Sequence, residues 1–215
     1  MRESGALVRQ RKGVISFRVR CTGIRGHAGS AYLRCASAIQ QLCAVVGKLY
    51  ALRDDARQIS VNIGVISGGT AENVICDEAS ALAEVRFFNP EYGEEILGKI
   101  KEICAEPGIA GTTTELVVNA SHPPFMATDR SLRLLALAQE IAREQGFELP
   151  AEDTGGAGDV SFASLAGVAA LDGLGLRGFG AHTTKECGVL SSFAQNAKLS
   201  AALMRALLDN PDAVR

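Results

Sequence analysis

Only three histidines occur in this chain, His27, His122 and His182, so any histidine-based acid, base or metal chemistry must run through them. His182 lies in "LRGFGAHTTKECG", a glycine-rich loop after the apolar run "VAALDGLG", a position where α/β folds place ligands. Glu186 follows four residues later, and Asp159 stands in the preceding glycine-rich loop. The alternative is a loop histidine that caps a neighbouring carbonyl. A zinc site needs about three protein ligands, and there is no H-x-D, no H-E-x-x-H and no tight acidic pair around a histidine in this sequence. One histidine is not a metal site. His27, in "RGHAGSAYLR", stands between glycine-containing turns just before an amphipathic run. It reads either as a packing residue at a helix entry or as a catalytic group on a rigid turn.

Other candidates also carry two readings. Arg86 follows Glu84 on the polar face of a strand, as a salt-bridged arginine or as a clamp for a substrate carboxylate. Asn73, after "GGTAE", suits a turn. "GGAGD" lacks both the P-loop lysine and the dinucleotide spacing, so a tight turn competes with a phosphate loop. No G-x-S-x-G occurs, and no cysteine stands in an electropositive setting near a histidine.

The composition bounds what these residues can serve. The chain has 215 residues, 47% of them hydrophobic and 21% charged, enough for one large domain or two small ones with a core. A formal net charge of −2 offers no basic field for nucleic acid and no polybasic membrane patch. No apolar run approaches the roughly 18 residues of a bilayer span, and "MRESGALVRQRKG" has no signal-peptide h-region. Six cysteines, with no C-x-x-C pair, read as reduced small hydrophobes of a cytoplasmic chain.

The elements that position these residues follow from periodicity. "VISFRVRCT" alternates with period two, with Ile15, Phe17, Val19 and Cys21 on one face, as in a half-solvated antiparallel strand. An amphipathic helix follows from Tyr32 to Tyr50, with Ser30 as its expected N-cap. "QISVNIGVIS" and "VICDEASALAEVRFF" are the second and third strands. Asn89-Pro90 opens a helix carrying Ile96, Ile100 and Ile103, and "GTTTELVVNA" is the fourth strand. Strand, helix, strand, strand, helix, strand is the ferredoxin-like βαββαβ order, and it leaves an edge strand and a helix available for pairing with another chain. Beyond "SHPPF" come a helix capped by Thr128, the glycine-rich loop, "VAALDGLG" as a buried parallel strand, and a last helix from Ser192. One strand cannot make a sheet, so this half looks like the edge of something larger that exposes apolar surface in isolation.

Four collinear stretches, "RKGVISFRVRCTGIRGHAGS", "ISGGTAENVICDEASALAEVRF", "TGGAGDVSFASLAG" and "LDGLGLRGFGAHTTKE", resemble the zinc-dependent aminoacylase and glutamate carboxypeptidase exopeptidases. The resemblance implies an α+β chain. A ferredoxin-like lid that also dimerises, at 12–120, would follow an N-terminal remnant or linker at 1–11 and precede, at 121–215, the C-terminal piece of the α/β catalytic domain. It implies that His27 reaches into a partner's active site as an oxyanion donor, a role worth roughly 10²–10³ in rate. It further implies that Asn73 and Arg86 bind the substrate's carboxylate or carbonyl, that Thr154 contacts substrate, and that His182 is a zinc ligand. His122 stands where the family often has arginine, as a weaker, pH-dependent anion partner. Cys76 departs from the usual proline, and Ala157 and Gly158 alter the glycine-rich loop.

The family's other ligands for its two zinc ions, and its general-base glutamate, come from a segment before the lid that has no counterpart in this sequence. The expectation is therefore a C-terminal portion of a peptidase acting on a small peptide or N-acyl amino acid, homodimeric through the lid and inactive as this chain alone. Two further readings stay open: a non-catalytic dimerisation or binding module, and half of a split enzyme completed by a separate N-terminal chain.

Overall fold

The computed structural model describes residues 3–181 and 183–214; His182, the expected metal ligand, lies outside the described residues. In chain order the elements are β1 (Leu7–Arg11), β2 (Gly13–Thr22), β3 (Gly26–His27), α1 (Ala38–Tyr50), β4 (Ser60–Gly68), β5 (Val74–Ile75), β6 (Glu78–Phe87) and α2 (Pro90–Ala105). They continue with β7 (Thr113–His122), α3 (Asp129–Glu144), β8 (Ala151–Thr154), α4 (Val160–Leu165), β9 (Gly178–Phe179), β10 (Cys187–Gly188) and α5 (Leu190–Asp209). The chain divides into two compact units, residues 13–124 and residues 1–12 with 125–215. No helix among the described residues is long and apolar enough to cross a membrane.

The first unit is the expected ferredoxin-like layer pair. Its four-stranded sheet has the order β4-β6-β2-β7, antiparallel throughout. Alternation decides the faces. Ile15, Phe17, Val19 and Cys21 of β2 and Ala79, Ala81, Ala83 and Val85 of β6 are buried on one side. There they meet the i, i+4 stripes Ala38, Leu42, Val45 and Leu49 of α1 and Ile96, Ile100 and Cys104 of α2. Alanines along β6 let both helices lie close to the sheet. α2 begins where Asn89 and Pro90 predict, and the Asn89 Oδ1 accepts from the Glu91 amide at 2.9 Å.

Two expectations shift. α1 is capped by Ser37, whose Oγ accepts from the Gln40 amide at 3.2 Å, and not by Ser30. An antiparallel bridge between Ile24 and Ala36 draws the intervening residues into a loop with a single 3-10 turn at Tyr32–Arg34. The third strand also breaks in two, because β5 pairs with β3 while β6 pairs with β2 and β4. At the break Cys76 is buried, its thiol donating to the Glu78 carbonyl at 2.9 Å.

In the second unit Leu7–Arg11, within the expected N-terminal linker, is a strand that pairs in parallel with β8. Leu7 packs with Leu134, Leu135, Ala138 and Ile141 of α3 and Leu199 and Leu203 of α5. "VAALDGLG" is not the expected strand: its only ladder contact among the described residues is the bridge of Asp172 to Val8. Gly173 turns the chain at φ +97°, close against the Ala6 carbonyl, which stops extended pairing. Phe162, Leu165, Leu190 and Phe193 are exposed apolar side chains of this unit.

Candidate functional site

The residues singled out in the sequence fall into separate groups, and two of these lie at opposite ends of β6. At one end β3 and β5 form a short antiparallel ribbon in which His27 faces Val74. The Ala28 amide donates to the Asn73 carbonyl at 3.0 Å, so His27 and Asn73 are brought side by side, both exposed. The His27 ring is held by its own turn. Its Nδ1 accepts from the Gly29 amide at 3.0 Å and the Ser30 amide at 3.3 Å. A backbone amide can only donate, so Nδ1 is unprotonated and the ring proton sits on Nε2. In that tautomer the ring presents one N–H donor, at Nε2, the kind of group that can face an oxyanion.

At the other end, Arg86 of β6 and His122 of β7 both pair with Val14 of β2, and so share the face of the sheet that the helices leave open. Arg86 lies in a fork with Glu84 two residues earlier, Nε to Oε1 at 2.8 Å and Nη2 to Oε2 at 3.1 Å. Both side chains are about one-third exposed. The His122 Nδ1 lies 3.2 Å from the Pro123 carbonyl, to which it can only donate. Eight residue steps along β6, from Glu78 to Arg86, separate the ends by about 26 Å. One lid thus holds two part-sites, a donor pair and a cationic pair, and they cannot close on the same small molecule.

Thr154 ends β8 in the other unit, with its Oγ1 accepting from the Gly156 amide at 3.3 Å at the entry to the glycine-rich loop. Beside it on β8 the Asp153 carboxyl is held below the usual carboxylate range, chiefly by its hydrogen bond from Arg9 and then by one from Gln10. Asp159 precedes α4 without capping it through its side chain.

Sequence reasoning passed over Arg11, the last residue of β1. Its guanidinium pairs with Asp172 and donates from Nη1 to the Gly156 carbonyl at 3.0 Å. The basic run "RQRK" gives no periodic signal that would set Arg11 apart from its neighbours.

Among the described residues no group of three or more histidine, cysteine, aspartate or glutamate side chains is arranged to hold a metal ion. The described donors therefore do not by themselves fit a zinc site. What the arrangement supplies is one oriented N–H donor beside an amide side chain, and one guanidinium beside an imidazole.

Residues 9–112 match the family described as "Peptidase dimerisation domain". The matched residues form a dimerisation domain of the M20 peptidase family, which is in general zinc-dependent. It is 27% identical over 174 residues to carboxypeptidase G2 of Pseudomonas sp. (strain RS-16), covering 80% of this chain and 42% of that protein. It is 25% identical over 185 residues to a succinyl-diaminopimelate desuccinylase of Ehrlichia ruminantium, covering 82% and 46%. Among solved structures it is similar to aminopeptidase PepT from Bacillus cereus, with a TM-score of 0.78 and 25% identity over 93% of this chain and 53% of that one. The chain spans about half the length of these relatives.

Proposed function

We propose that this chain supplies the dimerisation lid and the C-terminal catalytic part of a carboxypeptidase-like hydrolase. Its reaction is cleavage of a peptide or amide bond next to a free carboxylate, on a small peptide or N-acyl amino acid. The observation that carries this reading is the separation of the two part-sites by the length of β6. A donor and a carboxylate clamp that far apart serve two different substrates, as they would in a homodimer where His27 and Asn73 reach the partner's site. In that arrangement the Nε2–H of His27 stabilises the tetrahedral oxyanion, Asn73 and Arg86 hold the substrate's carboxylate or carbonyl with His122 as a weaker anion partner, and Thr154 contacts substrate. His182 serves as the zinc ligand in this reading. The free thiols fit a cytoplasmic setting.

The lid carries the dimer contact in this proposal. β4 is an edge strand with Val65 and Ile66 exposed, and α1 presents Ile39 and Tyr50 to solvent, so an apolar edge and helix face lie together. Ile66→Lys is expected to convert a dimer into a monomer in light scattering after size exclusion. A wild-type chain that is monomeric at tens of micromolar would overturn the arrangement.

The chain alone is proposed to be inactive, because the described donors do not assemble a metal site. Incubation with zinc and an N-acyl glutamate tests this; turnover that His182→Ala abolishes would defeat it. The same observation favours a second reading, a non-catalytic dimerisation or binding module, which a solution dimer with no zinc uptake would support. The exposed Phe162, Leu165, Leu190 and Phe193 favour instead a split enzyme completed by a separate chain. Activity appearing only when an M20 N-terminal half is added would identify that case.

A further inference from the structure

The glycine-rich loop "TGGAGD" has an internal occupant. Arg11 stands opposite Thr154 in the β1–β8 register, and its side chain runs into the loop that follows. Nη1 donates to the Gly156 carbonyl at 3.0 Å while Nε pairs with the Asp172 carboxylate. The pair is mostly withdrawn from water, with Arg11 16% and Asp172 27% exposed.

The loop's glycines fit this guest. A Cβ at Gly158 would stand 2.9 Å from the Arg11 Nε and 3.1 Å from its Cδ, closer than a side chain tolerates. A Cβ at Gly156 would lie 3.6 Å from Nη1. A loop built for phosphate turns amide N–H groups toward its ligand, whereas this one turns the Gly156 carbonyl onto a cation.

Three segments distant in sequence therefore meet on one guanidinium: β1 itself, the loop entered through Thr154, and the irregular stretch at Asp172. That stretch lines a cavity of about 350 Å³ together with Arg11 and Gly5. We propose that Arg11 is a positioning residue of the substrate site, setting Thr154's loop and the Asp172 segment, ten residues before His182, in one fixed relation. The proposal rests on the reading of Thr154 and His182 given under Proposed function for its catalytic meaning, but not for its geometry. Arginine is required because its planar fork offers donors to both partners at once; a lysine ammonium keeps the charge and satisfies one of them.

The test is amide and carboxylate NMR on the full chain with Arg11→Lys, Asp172→Asn and Gly158→Ala. Arg11→Lys is expected to shift the resonances of Thr154, Gly155, Gly156 and Gly158 together with the Asp172 carboxylate. The imidazole signals of His27 and His122 and the melting temperature stay within error. Gly158→Ala, which pushes the guanidinium aside, and Asp172→Asn are expected to move the same set of resonances.

Loop resonances that stay in place in Arg11→Lys would overturn the proposal, and so would changes spread through α3 and α5 with loss of helical signal. The latter would make Arg11 a prop for the whole unit. No turnover is read, so a failure of this proposal is distinguishable from a failure of the hydrolase reading.

Discussion

Gly93 and Gly98 lie in the same helix, α2, and should respond to alanine with opposite signs. Alanine in a helix interior is favoured over glycine by up to about 1 kcal/mol. At Gly98 a Cβ meets nothing within 4 Å, so Gly98→Ala should realise that gain. At Gly93 the same atom would sit 2.4 Å from Cζ and 2.5 Å from Cε2 of Phe87. The Phe87 ring cannot retreat: it is 4% exposed, and the backbone at Gly13 closes its other side, where a Cβ would lie 2.9 Å from Cε2. Overpacking of this kind costs about 1–3 kcal/mol, which exceeds the propensity gain. Gly93→Ala should therefore destabilise by about 1–2 kcal/mol and Gly98→Ala stabilise by about 0.5–1 kcal/mol. The chain has no tryptophan and three tyrosines, Tyr32, Tyr50 and Tyr92, all in the lid unit. Tyrosine fluorescence during urea titration of the full chain therefore reports lid unfolding by itself. With a slope near 1–2 kcal/mol per molar urea, the two midpoints should part by about 1–2 M. Equal stabilisation by both substitutions would refute the claim that Phe87 is locked between Gly13 and α2.

Ser161 has a buried Oγ with no hydrogen-bond partner, a condition that costs about 1–3 kcal/mol. Ser161→Ala should leave the thermal unfolding of the full chain unchanged or raised by circular dichroism, and a loss beyond about 1 kcal/mol would contradict the assignment. Glu95 is drawn down from the ordinary carboxylate value to about 2 by hydrogen bonds from Arg57 and then Lys99. Its folded value lies below its unfolded one, so its contribution is complete above about pH 4.5 and is lost as pH falls through about 2. Glu95→Gln should flatten that part of the tyrosine-monitored stability profile, and an unchanged slope would rule the pair out as its source. Gln58 adopts φ +54°, a region costly for side chains. Gln58→Gly should raise the lid's urea midpoint slightly, by up to about 1 kcal/mol in free energy; a fall would point to a side-chain contact outweighing the strain.

The lid was readable because each of its long elements carries its own pattern. Period-two alternation in Ile15–Cys21, the Asn89-Pro90 start and the inward Ile96 and Ile100 agree with the structure, while Cys104 takes the buried place expected of Ile103, which is only partly buried. What escaped were features decided by distant partners. Ser30 is as good a cap as Ser37 by residue type, but only the bridge between Ile24 and Ala36 shows where the helix can begin. β8, "AEDT", has no apolar alternation, and its strand character comes from pairing with β1. "VAALDGLG" has strand composition, yet Gly173 and the lone bridge at Asp172 prevent a ladder. The candidate site divides in the same way. His27 and Asn73 stand out by type, whereas the partners that set their chemistry, the Gly29 and Ser30 amides, are backbone and leave no residue signature. The same holds for Arg11, whose partners Gly156 and Asp172 lie more than a hundred residues away along the chain.

β6 has a consequence as a ruler. Removing one residue between Glu78 and Arg86 would carry Arg86 to the helix-covered face, where burying its charge is costly. Removing two would restore the face and bring the donor pair and the cationic pair about 7 Å closer. The distance between the two part-sites is therefore graduated in steps of two residues. A strand of this kind lets the spacing of its two part-sites drift over time only in discrete jumps.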